Sequence, residues 1–429
     1  MLSYTVSLLR KATFKGVEKQ SLWLIFSTVY LDMYDMALYL GYAIYLAPVL
    51  LPGIHVYKVG FILSLILFFS QLAKFIGFIH FNLSSQNTLI DSSRRFLFIA
   101  LGYIIITILI SGYIVNNYAI VLFIIVRILQ GYLMGIEIAF VINFASISMS
   151  RKYHSFIYYF IMFSSELGAL ICIFFNRLLV THDISFVVTD RSWLLQTMVG
   201  ASFAVILALM HFIYPLPKKR YHDFIVQSFI KSIKQDGVSI ILRSSIVLCH
   251  VVLIFIVIFR IPTILHLGLG WSIHEVNHLV LLMTGCAFLG TNTVTIIIKF
   301  IKPLQILRFS FLVCICVAIS WLKIGSSQDH RIYSFILYAM AYVYGIFIRV
   351  TPLYLYHVRD MCQRRWLISR YLAYIFTYSF LGSLSVLMLD LLHFVHHTYY
   401  DSGPPILLLF VSSIGFIALI FYLRRITNR

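Results

Sequence analysis

A chain of 429 residues that is 61% hydrophobic and only 11% charged, with a mean hydropathy of +0.95, carries far less charge than the roughly 25% of a soluble domain; it is a polytopic membrane protein. Its formal net charge of +18 is scattered in short runs between apolar stretches. That pattern excludes a compact basic domain for nucleic acid and is the topology signal of a membrane protein.

Residues 1–20 contain Arg10, Lys11, Lys15 and Lys19 and lack the apolar core and small-residue cleavage site of a signal peptide, so a cytoplasmic tail is expected there. A window of about 20 residues, enough to cross a ~30 Å hydrocarbon core, finds apolar spans. There are twelve, at 21–48, 57–80, 95–113, 117–145, 154–177, 192–214, 244–268, 273–298, 303–323, 332–357, 366–390 and 403–423. With the N-terminus inside, 24 of the 33 Lys and Arg fall in inside segments, 5 in outside segments and 4 (Lys74, Arg127, Arg260, Arg349) within spans. Dropping one span would invert the bias downstream, so twelve spans with both ends cytoplasmic is the consistent topology.

The longest inside segment, 215–243, divides the chain into two six-span halves, 21–214 and 244–429. Within it, Phe224 to Ile233 reads as a short amphipathic helix lying on the inner membrane surface. The arrangement is the 6+6 plan of major facilitator transporters, whose halves rock about a central site. The fold expected is therefore all-α, with twelve transmembrane helices in two six-helix bundles.

Span one places Asp32 and Asp35 near mid-membrane, where a charge costs about 3 kcal/mol on insertion scales and persists when it has a partner or a role. At 100° per residue, Asp32, Asp35 and Tyr39 share one face, with Met36 beside them, and that face should look toward a cavity. In span four, Arg127, Gln130, Met134 and Glu137 form one stripe. Spans one and four run in opposite directions, bringing Arg127 to the depth of the two aspartates. An ion pair is expected, with Asp35 the leading partner. Gly131 and Gly135, four apart, would let a neighbouring helix approach closely. Span five adds Ser164, Ser165 and Glu166. The second half carries fewer charges at depth: Arg260, His250, Arg349 and Tyr344, with Tyr342, Thr351 and Tyr354 nearby. A lone histidine in an apolar helix reads first as a packing residue.

These groups admit two readings: glue between helices, or coupling machinery in which Asp32 or Asp35 exchanges a proton. In the second, burial and the guanidinium of Arg127 act on the carboxylate in opposite senses, linking protonation to substrate binding. Arg127 could instead hold a substrate carboxylate.

Several motifs are set aside. His274-Glu275-Val276-Asn277-His278 matches the HExxH zinc pattern, but Ser272 and Glu275 read as a capping box opening span eight, and no third ligand follows. Asn82-Leu83-Ser84 matches a glycosylation acceptor in a predicted inside loop. The six cysteines sit in or beside apolar segments without metal spacing and read as small buried hydrophobes. No Walker motif or dinucleotide fingerprint occurs, which argues against direct ATP coupling.

Asp32-Met33-Tyr34-Asp35-Met36 with Tyr39, and Arg127, Gln130, Gly131, Gly135, Ile136 and Glu137, resemble the first-helix and fourth-helix motifs of the metabolite:proton symporters of the major facilitator superfamily. That family includes proline/betaine and α-ketoglutarate transporters. Pro352 and the Arg364-Arg365 loop resemble its later motifs more loosely. The chain departs from the family between spans two and three, where Gly77 and then Asp91-Ser92-Ser93-Arg94-Arg95 replace its Asp-Arg step and inner glycine. Asp32 also replaces a Glu and Met33 a Trp, and no osmosensing C-terminal extension is expected.

The resemblance implies a proton-coupled symporter importing a small zwitterionic osmolyte or carboxylate such as proline or betaine by alternating access, not an enzyme. Asp32, Asp35, Arg127 and Glu137 are assigned to proton coupling. Tyr34, Tyr39, Gln130, Glu166, Arg260 and Tyr344 are assigned to substrate contact, with no metal and no cofactor beyond the proton gradient. The expected partners are the solute, protons and the lipid bilayer, with no nucleic acid, for a monomer in a bacterial inner membrane. A sugar or other metabolite carrier of the same superfamily, or a non-transporting sensor or scaffold, are the alternatives.

Overall fold

A computed structural model of the protein describes residues 16–50, 56–83, 92–110, 117–148, 154–181, 192–213, 222–267, 270–324, 330–357, 372–396 and 403–427. The described part of each of the twelve expected spans lies on a helix. The first half consists of α1 (Gly16–Leu50), α2 (Val56–Leu83), α3 (Ser92–Ile110), α4 (Asn117–Ser148), α5 (His154–Thr181) and α6 (Ser192–Ile213). In the second half α7 runs as His222–Leu253, a π-helical stretch Ile254–Arg260, and Ile261–Leu267. It is followed by α8 (Ile273–Ile297), α9 (Pro303–Ile324) and α10 (His330–His357). Helix α11 is described from residue 372 through a π-helical stretch Phe376–Gly382 and on through Ser383–His396, and α12 is Gly403–Thr427. Among the described residues, nine helices carry a stretch long and apolar enough to cross a bilayer.

One expectation is corrected. The segment read as a separate surface helix, 224–233, is the beginning of α7, continuous from His222 into the membrane span. Gly237 is the one weak helix former between the amphipathic pattern and the apolar run, and a single glycine costs about 1 kcal/mol without ending a helix, so the helix propagates through.

Both halves use the same close helix pair. A side chain at Gly131 or Gly135 of α4 would overlap the backbone carbonyl of Ser70 or Lys74 in α2; one at Gly290 of α8 or Gly345 of α10 would overlap that of Tyr342 or Ala287. Without a hydrophobic drive between helices in lipid, such backbone-to-backbone approach supplies the packing energy. The α2–α4 and α8–α10 contacts are equivalent under a shift of six helices, a repeat too faint to read from the residues alone.

The two π-helical stretches went unpredicted. In α7 the N–H of Ile261 bonds back to the carbonyl of Ile256, five residues earlier, just before Pro262. Proline has no N–H to give and its ring would press on the carbonyl four residues back, so a widened turn relieves both problems. In α11 the widened turn ends at Gly382, against which Val251 and Phe255 of α7 pack closely enough to exclude a side chain.

Candidate functional site: buried ion pairs around a central cavity

Four buried ion pairs occur among the described residues, three inside the first half and one linking α7 to α11. Arg127 Nη1 donates to Asp35 Oδ1 at 2.7 Å, joining α4 to α1 as expected. The guanidinium stands 4.9 Å from the centre of the Tyr39 ring, a cation–π contact, and also reaches Gln130 Oε1 at 3.3 Å. Gln130 passes the link on to α3, its Nε2 donating to the Ile99 carbonyl at 3.1 Å. The Tyr39 hydroxyl donates to the Leu63 carbonyl of α2 at 2.7 Å, and Ser70 donates to the Arg127 carbonyl at 2.9 Å. Arg127 holds Asp35 directly, and Tyr39 and Gln130 in turn fix the guanidinium, yet the Asp35 side chain is 20% exposed, more than any other carboxylate in the four pairs.

Asp32 does not share Arg127. One turn before Asp35, it pairs with Lys74 of α2 at 2.6 Å. The ammonium lies 6.0 Å from the centre of the Tyr378 ring on the π-helical stretch of α11, and the Tyr378 hydroxyl donates to Met33 Sδ at 2.7 Å. The pair joins α1 to α2, and Lys74 and Met33 meet Tyr378 across the two bundles. Sequence reading had Lys74 only as one of four cations within spans.

The stripe on α4 is divided. Glu137 is fully buried and paired with Arg95 of α3, whose Nη2 also donates to Ser92 Oγ at 2.7 Å. Glu137 thus fastens α4 to α3 and is not among the residues that line the cavity. Arg95 had been read as a loop charge; it is the first-turn residue of α3 and turns inward.

The fourth pair is Arg260 with Asp390 of α11, where Ser64 of α2 also donates to the carboxylate. A side chain at Gly60 of α2 would come within 3.0 Å of Arg260 Nη2. These residues cluster where α7 and α11 end and α2 begins, closing the bundles together at the end away from the start of α1. Arg260 is thus committed to a carboxylate and a seam between halves. Sequence reading had counted Asp390 only as a span boundary.

A cavity of about 60 Å³ lies between the halves, room for about four or five waters. The first half contributes Met33 and Ser165 to its wall; the second contributes His250, Thr284, Phe288, Thr291 and the tyrosines Tyr344, Tyr374 and Tyr378. Among the described residues, no Asp, Glu, Lys or Arg lines it. Of the six residues assigned to substrate contact, Tyr344 is on this wall. Tyr34 instead donates to the Gln196 carbonyl of α6 at 3.0 Å; Tyr39, Gln130 and Arg260 have the partners given above. The side chain of Glu166 lies outside the described residues, as do those of Pro352, Tyr354 and the Arg364-Arg365 loop.

The motifs set aside resolve simply. Ser272 and Glu275 form the capping box of α8, each side chain bonding the other's backbone N–H, at 3.2 and 2.9 Å. Asn82 is buried, donating to the Phe78 carbonyl and accepting from Asn143 Nδ2, both at 2.8 Å. Cys172, Cys249, Cys286, Cys314 and Cys316 are free thiols.

No family model and no curated protein matches the sequence. Solved structures do match the fold. The xylose transporter XylE from E. coli, in a partially occluded inward-open conformation, superposes with a TM-score of 0.66 at 13% identity over 96% of this chain and 98% of that one. A D-xylose-proton symporter gives 0.62 at 16% identity over 94% and 96%. The major facilitator superfamily proton:xylose symporter XylE bound to 6-bromo-6-deoxy-D-glucose gives 0.61 at 16% identity over 95% and 96%. At such identities the likeness speaks for architecture: the chain has the major facilitator fold, two six-helix bundles facing one another across a central cavity.

Proposed function

We propose that the protein is a proton-coupled symporter working by alternating access, with a neutral, sugar-sized metabolite as its solute. The observation that carries this reading is the Arg127–Asp35 pair: a carboxylate at mid-membrane, 20% exposed and held by a guanidinium, in a fold whose two bundles enclose a cavity. Protonation of Asp35 removes the charge that Arg127 balances and frees the guanidinium to rearrange, so proton uptake changes the contacts of α1 with α4. Asp32 and Lys74 carry such changes to Tyr378 on the cavity wall. Because the cavity is built by the two halves of one chain, a monomer holds a complete path.

The wall chemistry argues against a zwitterion or carboxylate. A substrate carboxylate needs a buried cation as partner, yet among the described residues the wall offers none and Arg260 is tied to Asp390. Aromatic rings and hydroxyl oxygens suit the C–H faces and O–H donors of a sugar. The xylose symporters of the same fold agree with this by analogy. The distribution of Lys and Arg supports a membrane orientation with both ends in the cytoplasm; the membrane proposed is a bacterial inner membrane.

Uptake by proteoliposomes tests the reading. Labelled D-xylose or D-glucose should accumulate when an inward proton gradient is imposed and merely equilibrate without one, while proline and betaine should not accumulate. Proline or betaine uptake in place of sugar uptake would overturn the solute class, and indifference to the gradient would overturn coupling.

A further inference from the structure

His250 lies on α7 at the cavity wall and is only 4% exposed. Neither of its ring nitrogens has a hydrogen-bond partner among the described residues. The imidazole is held by its faces instead: its ring centre is 6.3 Å from that of Tyr374 at an interplanar angle of 27°, and Tyr374 stacks in turn on Tyr378 at 5.6 Å and 20°. Stacking fixes the ring and leaves its nitrogens uncommitted. A buried polar group without a partner destabilises the fold that holds it, so a packing role gives no reason for histidine where leucine or phenylalanine would fill the space.

Three neighbouring hydroxyls are already engaged. Thr284 donates to the Val280 carbonyl at 2.8 Å, Thr291 to the carbonyls of Ala287 and Gly345 at 3.1 Å, and Tyr378 to Met33. Their oxygens can still accept, but their protons are spent locally. A neutral imidazole has one donor and one acceptor, the complement of an alcohol, which is both at once.

We infer that His250 is a solute-recognition residue, hydrogen-bonding a hydroxyl group of a neutral polyol when the bundles part and the contracted cavity admits it. The inference rests on the neutral-solute reading above and adds the group that selects the hydroxyl. In the contracted state the nitrogens are shut in without partners; a sugar hydroxyl entering the widened cavity supplies one. Recognition and the opening motion then favour each other, because the ligand stabilises the state in which the histidine is satisfied.

The test uses the full-length purified protein in detergent, with D-xylose, D-glucose and their monodeoxy analogues as probes. His250→Leu should unfold at the same temperature as wild type or higher without sugar, and should bind the parent sugar about tenfold more weakly or worse, the loss expected of one deleted hydrogen bond in a closed site. His250→Gln, which keeps a donor and an acceptor, should recover part of that affinity. One monodeoxy sugar should bind wild type and His250→Leu equally, locating the hydroxyl by a double-mutant cycle. Lower unfolding temperature of the sugar-free Leu variant would show that the imidazole serves the resting fold and overturn the assignment. Unchanged sugar affinity in His250→Leu, with wild type binding, would overturn it while leaving the neutral-solute reading intact. Wild type that binds no sugar of the panel would overturn both.

Discussion

Lys74 of α2 and Asp32 of α1 pair at 2.6 Å with side chains only 3% and 11% exposed. Removing one partner of a buried pair leaves an uncompensated charge, whereas removing both leaves only a packing defect. Lys74→Leu alone should therefore destabilise the detergent-solubilised protein by about 3–5 kcal/mol, and Asp32→Leu combined with Lys74→Leu should recover most of that. Chemical denaturation of the two single variants and the double variant checks it, and additive losses would show that the charges do not interact.

Asp35 differs from Asp32 in being the most open of the paired carboxylates. Asp35→Asn keeps the shape and cannot change charge, so the variant should bind solute and exchange it across the membrane while failing to accumulate it against a gradient. Counterflow and gradient-driven uptake measured on the same vesicles separate the two activities. Full accumulation by the variant would move the coupling role elsewhere, with Asp32 the next carboxylate to substitute.

The twelve spans and the Arg127–Asp35 pair were legible because each leaves a mark in one dimension. Twenty apolar residues are long enough to cross, and a charge in the middle of them asks for a partner of opposite sign. What could not be read was which helix face meets which. Asp32 took Lys74 and Glu137 took Arg95 because the nearest cation in space is fixed by helix rotation, on which composition is silent. Asp390 and Arg95, near the ends of apolar runs, looked like boundary charges and turned out to be buried. Pro262 was the one available signal for the π-helical stretch in α7, and His250 gave none at all, since a packing histidine and an unpaired one are the same letter.

Asp390 holds Arg260 of α7 and Ser64 of α2 at once, fastening the two halves at one end. Asp390→Asn weakens the ionic part of that fastening and should shift the population toward conformations open at that end. A cysteine replacing Phe68, one turn deeper along α2 and beside Phe380 at 5.8 Å between ring centres, reports this in an otherwise cysteine-free background. Its reaction with a membrane-impermeant maleimide should accelerate several-fold when Asp390→Asn is added. An unchanged rate would mean that the aromatic contacts alone keep the end shut.

Gly135 and Gly345 occupy equivalent places in the two bundles, each set against the backbone of its neighbouring helix at Lys74 and Ala287. Backbone cannot move aside as a side-chain tip can, so a single methyl group must push α4 from α2 or α10 from α8. Overpacking of this kind costs about 1–3 kcal/mol, and the displacement at Gly135 also disturbs Lys74 and its pairing with Asp32. Gly135→Ala and Gly345→Ala should each lower the unfolding temperature in detergent, and Gly135→Ala should depress transport further than its loss of stability explains. Gly285 is the control. It is exposed on α8 with nothing near the added carbon, and alanine is the better helix former there by about 1 kcal/mol, so Gly285→Ala should be neutral or stabilising. Equal losses at all three positions would mean that general helix perturbation, not backbone contact between helices, governs the response.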